Sequence, residues 1–182
     1  NLDFSIDNYI NENFEVSDNN ITIYLKCNNK DDLYSQFCTK SHQSLNQELC
    51  DYIERIIYDI PLRYSVTLKV ITEELGLEEK LKAETIFKNH YKLILYDKNL
   101  DLKINSAKAI SLFCVGSILL VIYFALNILN YNIFITEFLS ISGTFALWET
   151  VDLFLLERKK LDIDRLNAGQ LSDMKIEFCS YN

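Results

Sequence analysis

AISLFCVGSILLVIYFALNIL, Ala109 to Leu129, carries no charged residue across twenty-one positions. At about 1.5 Å per residue the run extends about 30 Å as a helix, the thickness of a bilayer's hydrocarbon core. A buried helix of this length in a soluble domain would show a polar face, and here only Ser, Cys, Tyr, Asn and one Gly interrupt the apolar residues. The stretch reads as a transmembrane helix. Asn130, Tyr131 and Asn132 then supply turn-forming residues, and IFITEFLSISGTFALWETVDLFLL, Ile133 to Leu156, is again long enough to span. So short a link forces an antiparallel return. Residues 105–156 are therefore expected to form an antiparallel transmembrane helical hairpin, with spans about 109–129 and 133–156.

Basic residues near the span ends set the expected orientation. Lys103 and Lys108 precede the first span, Arg158, Lys159 and Lys160 follow the second, and the turn has none. Both termini are expected to be cytoplasmic, in a multi-pass protein of the cell membrane. Trp148, Lys108, Arg158, Lys159 and Lys160 are candidate interfacial anchors, with Tyr123 and Tyr131 toward the turn. The sequence opens on Asn1 rather than Met, leaving room for residues before it. Its first stretch lacks the charged, apolar, small-residue order of a signal peptide.

The flanking segments, 1–104 and 157–182, are rich in Asn, Asp, Glu and Lys. Ile21 to Cys27 and Tyr64 to Thr72 alternate and carry β-branched and aromatic residues, so both read as strands. Between them Leu45, Leu49, Tyr52, Ile53, Ile56 and Ile57 recur at helical spacing, and Pro61 stops that helix. After Gly76, Leu77, Leu81 and Thr85 are spaced by four and predict a short second helix. Tyr91 to Leu95 fits either a strand or a continuation, and a break is expected near Asn99 to Asp101. A short strand around Phe14 to Val16 is a further expectation. Beyond the second span, Leu161 to Leu171 is helix-compatible and Met174 to Tyr181 alternates like a strand. Pairing of that strand with the Ile21 or Tyr64 strand would join both flanks in one α+β cytoplasmic domain, a small sheet with packed helices.

The second span carries acids where the first does not. Glu149 and Asp152 are three apart, close to one helical face, and Ser142 lies seven before Glu149. Membrane carboxylates face a bundle interior or water when they are functional. At the headgroup level they instead pair with Arg158 or Lys108. Glu137 stands nearer the turn, where it either reaches external water or adds a second acidic ring to a cation path. Gly116 with Ser117, and Gly143 with Ser140 and Ser142, offer small patches for close helix contact.

The formal net charge of -8 argues against a nucleic-acid partner, since phosphate binding needs clustered Lys and Arg. Five cysteines lack CxxC spacing, so neither a disulfide framework nor a zinc site is indicated, and free thiols in a reducing cytosol are expected. His42 and His90 are the two histidines. His42 lies four after Cys38, a spacing that on a helix would suit a thiol and imidazole pair or two metal ligands, or leave both facing solvent by coincidence. With four glycines and no phosphate loop, nucleophile elbow or dinucleotide fingerprint, no catalytic residue, metal or cofactor is expected.

The stretch ALWETVDLFLLERKKLDIDRL, Ala146 to Leu166, resembles a pattern of uncharacterised prokaryotic two-span integral membrane proteins. The resemblance implies the two-span topology and no activity. Function is expected in one of two classes. One is an oligomeric membrane effector or cation-conducting channel controlled by its cytoplasmic domain. The other is a membrane-anchored adaptor or scaffold subunit that recruits a cytoplasmic protein partner. The lipid bilayer is the expected environment, and a homo-oligomer the expected state, because one hairpin encloses no pore.

Overall fold

The computed structural model describes residues 5–39 and 41–180. By contacts the chain divides into two compact units: the described residues up to Tyr96 with those from Leu166 onward, and Asp97–Arg165.

The first unit is built on a mixed four-stranded sheet in the order β1-β2-β3-β4, with β1 Glu15–Ser17, β2 Asn20–Lys26, β3 Ser65–Thr72 and β4 Lys175–Ser180. Strands β1 and β2 pair antiparallel, Ser17 opposite Asn20. The hairpin turn between them is Asp18 and Asn19, both at positive φ (48° and 65°), as a two-residue turn matched to the strand twist requires. Asp and Asn tolerate that region better than other non-glycine residues. Strand β2 pairs parallel with β3, Ile23 opposite Leu68, and β3 pairs parallel with β4, Leu68 opposite Ile176. The expected C-terminal strand thus joins the Tyr64 strand; Tyr181, its expected last residue, lies outside the described residues.

Alternation gives the sheet one apolar face. Ile21, Ile23 and Leu25 of β2, Val66, Leu68 and Val70 of β3, and Ile176 of β4 are buried in one core. Helices α1 Ile6–Asn13 and α2 Gln47–Tyr58 add Ile10, Leu49, Cys50, Ile53 and Ile57 to it. Burying side chains of this size stabilises by roughly 1.5–3 kcal/mol each. The other face is polar: Tyr24 bonds Glu15, Lys69 lies 5.6 Å from the Tyr24 ring centroid, and Asn20 donates to Thr67 at 3.0 Å.

Three expectations are corrected here. Helix α2 starts only at Gln47, with Asn46 accepting from the Glu48 amide at 3.0 Å as its N-cap; Leu45 precedes it, bridged to Tyr34, and Tyr52 lies half exposed off the core face. The stripe expected at Leu77, Leu81 and Thr85 is exposed, because the ring-bearing stripe Ala83, Phe87 and Tyr91 takes the core instead. Nor is there a break at Asn99 to Asp101. Helix α3 runs from Leu77 to Ile128, and Tyr91 to Leu95 is part of it. Each Asn or Asp costs an interior helix only about 0.7 kcal/mol, and within α3 no Gly or Pro stands before Gly116.

Helix α3 ends in a left-handed cap. Asn130 sits at φ 51°, the Tyr131 amide donates to the Leu126 carbonyl at 3.1 Å, and the Asn130 amide to Asn127 at 3.1 Å. Asn132 then caps α4, Ile133–Asp152, accepting from the Phe134 amide at 3.0 Å. A π-helical segment, Leu153–Glu157, links α4 directly to α5, Arg158–Ser172. The helix expected over Leu161 to Leu171 lies within α5, which continues from α4 through the π segment.

Candidate functional site

The second unit's apolar helices define the site. Both are long and apolar enough to cross a membrane. They run in opposite directions, since Asn105 meets Leu153 while Leu120 lies against Gly143. The two helices approach closely at two glycines. A Cβ added to Gly116 would stand 3.0 Å from the Gly143 carbonyl oxygen and from the Leu147 side chain; one added to Gly143 would stand 3.0 Å from Leu120 and 3.2 Å from the Gly116 carbonyl. Only a residue without a side chain lets the two backbones approach so nearly.

The buried face of α4 is Thr136, Gly143 and Ala146, continued by Leu153 in the π segment. Hydroxyls along the pair are satisfied on their own helices: Ser117 donates to Phe113, Thr136 to Ile133 and Thr150 to Ala146, at 2.8–2.9 Å. Among the described residues, the polar bond between the helices comes from Asn105, which is 4 % exposed and donates through Nδ2 to the Leu153 carbonyl at 2.9 Å. The π turn widens the backbone at that carbonyl, which also accepts from the Arg158 amide. Asn105 was not singled out by sequence pattern, although an Asn four positions before a charge-free run is the available signal.

The acids lie elsewhere. At roughly 100° per residue, Glu137, Asp152 and Glu149 fall within an arc of about 120° centred opposite Gly143. Glu137 and Asp152 are exposed and Glu149 is half-buried. Among the described residues none of the three has an ion-pair partner, and the expected pairing with Arg158 or Lys108 is corrected. Arg158 instead faces Asp162, one turn on, at 3.9 Å, and stacks over the Phe154 ring. The face between Glu137 and Glu149 is filled by Phe138, Ile141, Phe145 and Trp148, each two-thirds or more exposed. Lys108, Lys159 and Lys160 are exposed.

In the first unit, the segment after β2 forms a cavity of about 750 Å³ lined by Asp31, Asp32, Gln36, Asn46 and Glu48, with Phe37 87 % exposed at its edge. This is the carboxyl end of a parallel strand, where open α/β sheets present their ligand sites. Cys38 and His42 line a second hollow of about 260 Å³ here, on irregular chain rather than the helix their spacing required, and Thr39 bridges to His42. Among the described residues no cluster of His, Cys, Asp and Glu could hold a metal ion. Burial pushes the Cys50 thiol up to about 12, so it stays protonated, and holds the His90 imidazole below its ordinary range. Comparison with protein-family models, curated proteins and solved structures gives no match.

Proposed function

We propose that this protein is a membrane-anchored adaptor, in which the helix pair spans the bilayer as a hairpin and the sheet unit recruits a partner on the cytoplasmic side. The reading of a bilayer rests on the bare apolar surface of both helices. Phe113, Val121 and Phe124 on α3, and Phe134, Phe138 and Phe145 on α4, are all more than half exposed. Water would leave that surface unfavourably solvated, and lipid chains would not. The cytoplasmic assignment rests on Lys103, Lys108, Arg158, Lys159 and Lys160 bracketing the spans.

One observation favours an anchor over a cation channel: the belt of Phe138, Ile141, Phe145 and Trp148 between Glu137 and Glu149. A conducting path needs polar groups or water along its length. Four large apolar side chains on the face that carries the acids suit lipid or a packed oligomer better than a file of ions. The partner's chemistry is read from the cavity after β2, where Asp31, Asp32 and Glu48 beside Phe37 favour a segment carrying Lys or Arg next to an apolar side chain.

Reconstitution into liposomes containing a cation-sensitive dye tests the choice. The expected result is no flux above empty liposomes. Flux that falls in the Glu149→Gln, Asp152→Asn double variant, with assembly intact, would reinstate the channel.

A further inference from the structure

Where α3 meets α5, within the second unit, a cleft of about 510 Å³ opens. Lys103, Arg158 and Arg165 line it together with a single carboxylate, Asp162. The chain as a whole is acidic, so three cations around one hollow are a local inversion of its charge. Asp162 does not neutralise them. Its oxygens stand 3.9 Å from Arg158 Nε and 3.7 Å from Arg165 Nη2, beyond hydrogen-bond length, and Lys103 has no ion-pair partner among the described residues. Arg165 Nε is buried with no hydrogen-bond partner. The Arg165 side chain as a whole is 41 % exposed, so its guanidinium is open to an acceptor, and an oxyanion is the group that suits it.

The cleft's walls are of two kinds. Ser106 adds a hydroxyl beside the cations, while Leu102, Ala107 and Ile110 supply an apolar side. Ile110 belongs to the first apolar run, and Arg158 follows the second by two residues. The hollow therefore sits where hydrocarbon gives way to headgroups, with charge on one side and an apolar strip leading into the span on the other.

We propose that this cleft binds the phosphate of an anionic phospholipid, with Arg158 and Arg165 donating to its oxygens, Lys103 contributing charge, and the acyl chains following Ile110 along α3. Guanidinium forks match phosphate geometry, and basic pockets between spans on the cytoplasmic side suit anionic headgroups. The inference rests on the membrane reading above, and adds that the anchor selects its lipid.

The test uses the full chain in nanodiscs of phosphatidylcholine alone or mixed with phosphatidylglycerol, with retained lipid read by native mass spectrometry after release. Phosphatidylglycerol should be retained over phosphatidylcholine. Arg158→Gln and Arg165→Gln should each lower the preference about fivefold, the effect of one cation at a membrane surface. Asp162→Asn, which removes the competing carboxylate, should raise it, and Arg158→Lys should keep most of it. Lys159→Gln and Lys160→Gln, outside the cleft, should leave it unchanged. Equal losses from those two lysines would mean diffuse attraction and overturn the site. Displacement of the retained lipid by soluble glycerol phosphate would overturn it in favour of a free phosphate ester. Vesicle flotation separates the two readings: a chain that does not float fails the membrane reading itself, whereas one that floats without any lipid preference fails this inference alone.

Discussion

Asn105 Nδ2 donates to the carbonyl oxygen of Leu153 at 2.9 Å, joining the start of the first apolar run to the π turn at the end of the second. In an apolar surround the alternative to this bond is an unsatisfied amide. Replacing Asn105 by Leu should therefore loosen the helix pair, while Asn105→Gln should recover part of the loss. The expected cost is about 1 kcal/mol, the middle of the range for polar bonds between membrane helices. Unfolding of the detergent-solubilised protein in sodium dodecyl sulfate, followed by circular dichroism, reads it.

Gly143 gives a sharper case because two effects oppose each other. Ala in place of Gly favours a helix by about 1 kcal/mol. A Cβ at this position, however, meets Leu120 at 3.0 Å and the Gly116 carbonyl at 3.2 Å. Overpacking costs roughly 1–3 kcal/mol, and the Gly116 backbone is a neighbour that cannot rotate away. Gly143→Ala should lower stability modestly and Gly143→Val should lower it by about 2 kcal/mol or more. A variant with raised stability would show that the helices part without penalty.

Parts of this arrangement were legible because one physical signal dominated. The charge-free run from Ala109 to Leu129 admits few readings, and the alternation of Ile21 to Cys27 and Tyr64 to Thr72 leads to β2 and β3. Competition between comparable signals hid the rest. Leu77 and Leu81 had the spacing of a core stripe, yet Phe87 and Tyr91 offered larger rings at the same spacing and took the core. Asn99 and Asp101 suggested a break but carry only a small propensity cost, which a long helix absorbs. The turn at Asp18 and Asn19 is plain once both are known to be at positive φ, but the run Asp18-Asn19-Asn20 does not say which pair turns. The π segment has no sequence signature at all, so the placement of Arg158 against Asp162 rather than against the acids of α4 depended on backbone geometry.

Strand β4 arrives from the far end of the chain and pairs along the length of β3. Truncation after Asp173 would remove the buried Met174 and Ile176 and leave β3 as an open edge. Loss of two such side chains alone costs about 3 kcal/mol or more. The truncated protein should melt earlier and show new protease sites in the sheet unit. An unchanged melting temperature and cleavage pattern would mean that β4 is dispensable.

Thiol labelling offers a test of burial in the same unit. Cys50 and Cys27 are 1 % and 5 % exposed, and burial keeps the Cys50 thiol protonated, so neither should react with maleimide at neutral pH until the protein is unfolded. Cys179 is exposed and should label in the native state. Rapid native labelling of Cys50, identified by peptide mass mapping, would contradict the core placement of α2.

Phe145 stands at the middle of α4, 67 % exposed, on the face that carries Glu137 and Asp152 near its two ends. If that face meets lipid, a carboxylate at position 145 must be carried into hydrocarbon, at about 2.5–3.5 kcal/mol by insertion scales. The Phe145→Asp variant should then insert less, with the second span failing to cross and a reporter after Ser180 shifting to the opposite side from the parent. If the face instead lines water in an oligomer, an added acid there is solvated, insertion is unchanged, and cation flux rises. Phe145→Leu serves as the control, since it removes the ring and keeps the span apolar. Glycosylation reporters at both ends of α4 read the topology, and the liposome assay reads flux on the same preparations. Normal insertion with raised flux would defeat the anchor and make the aromatic belt a gate.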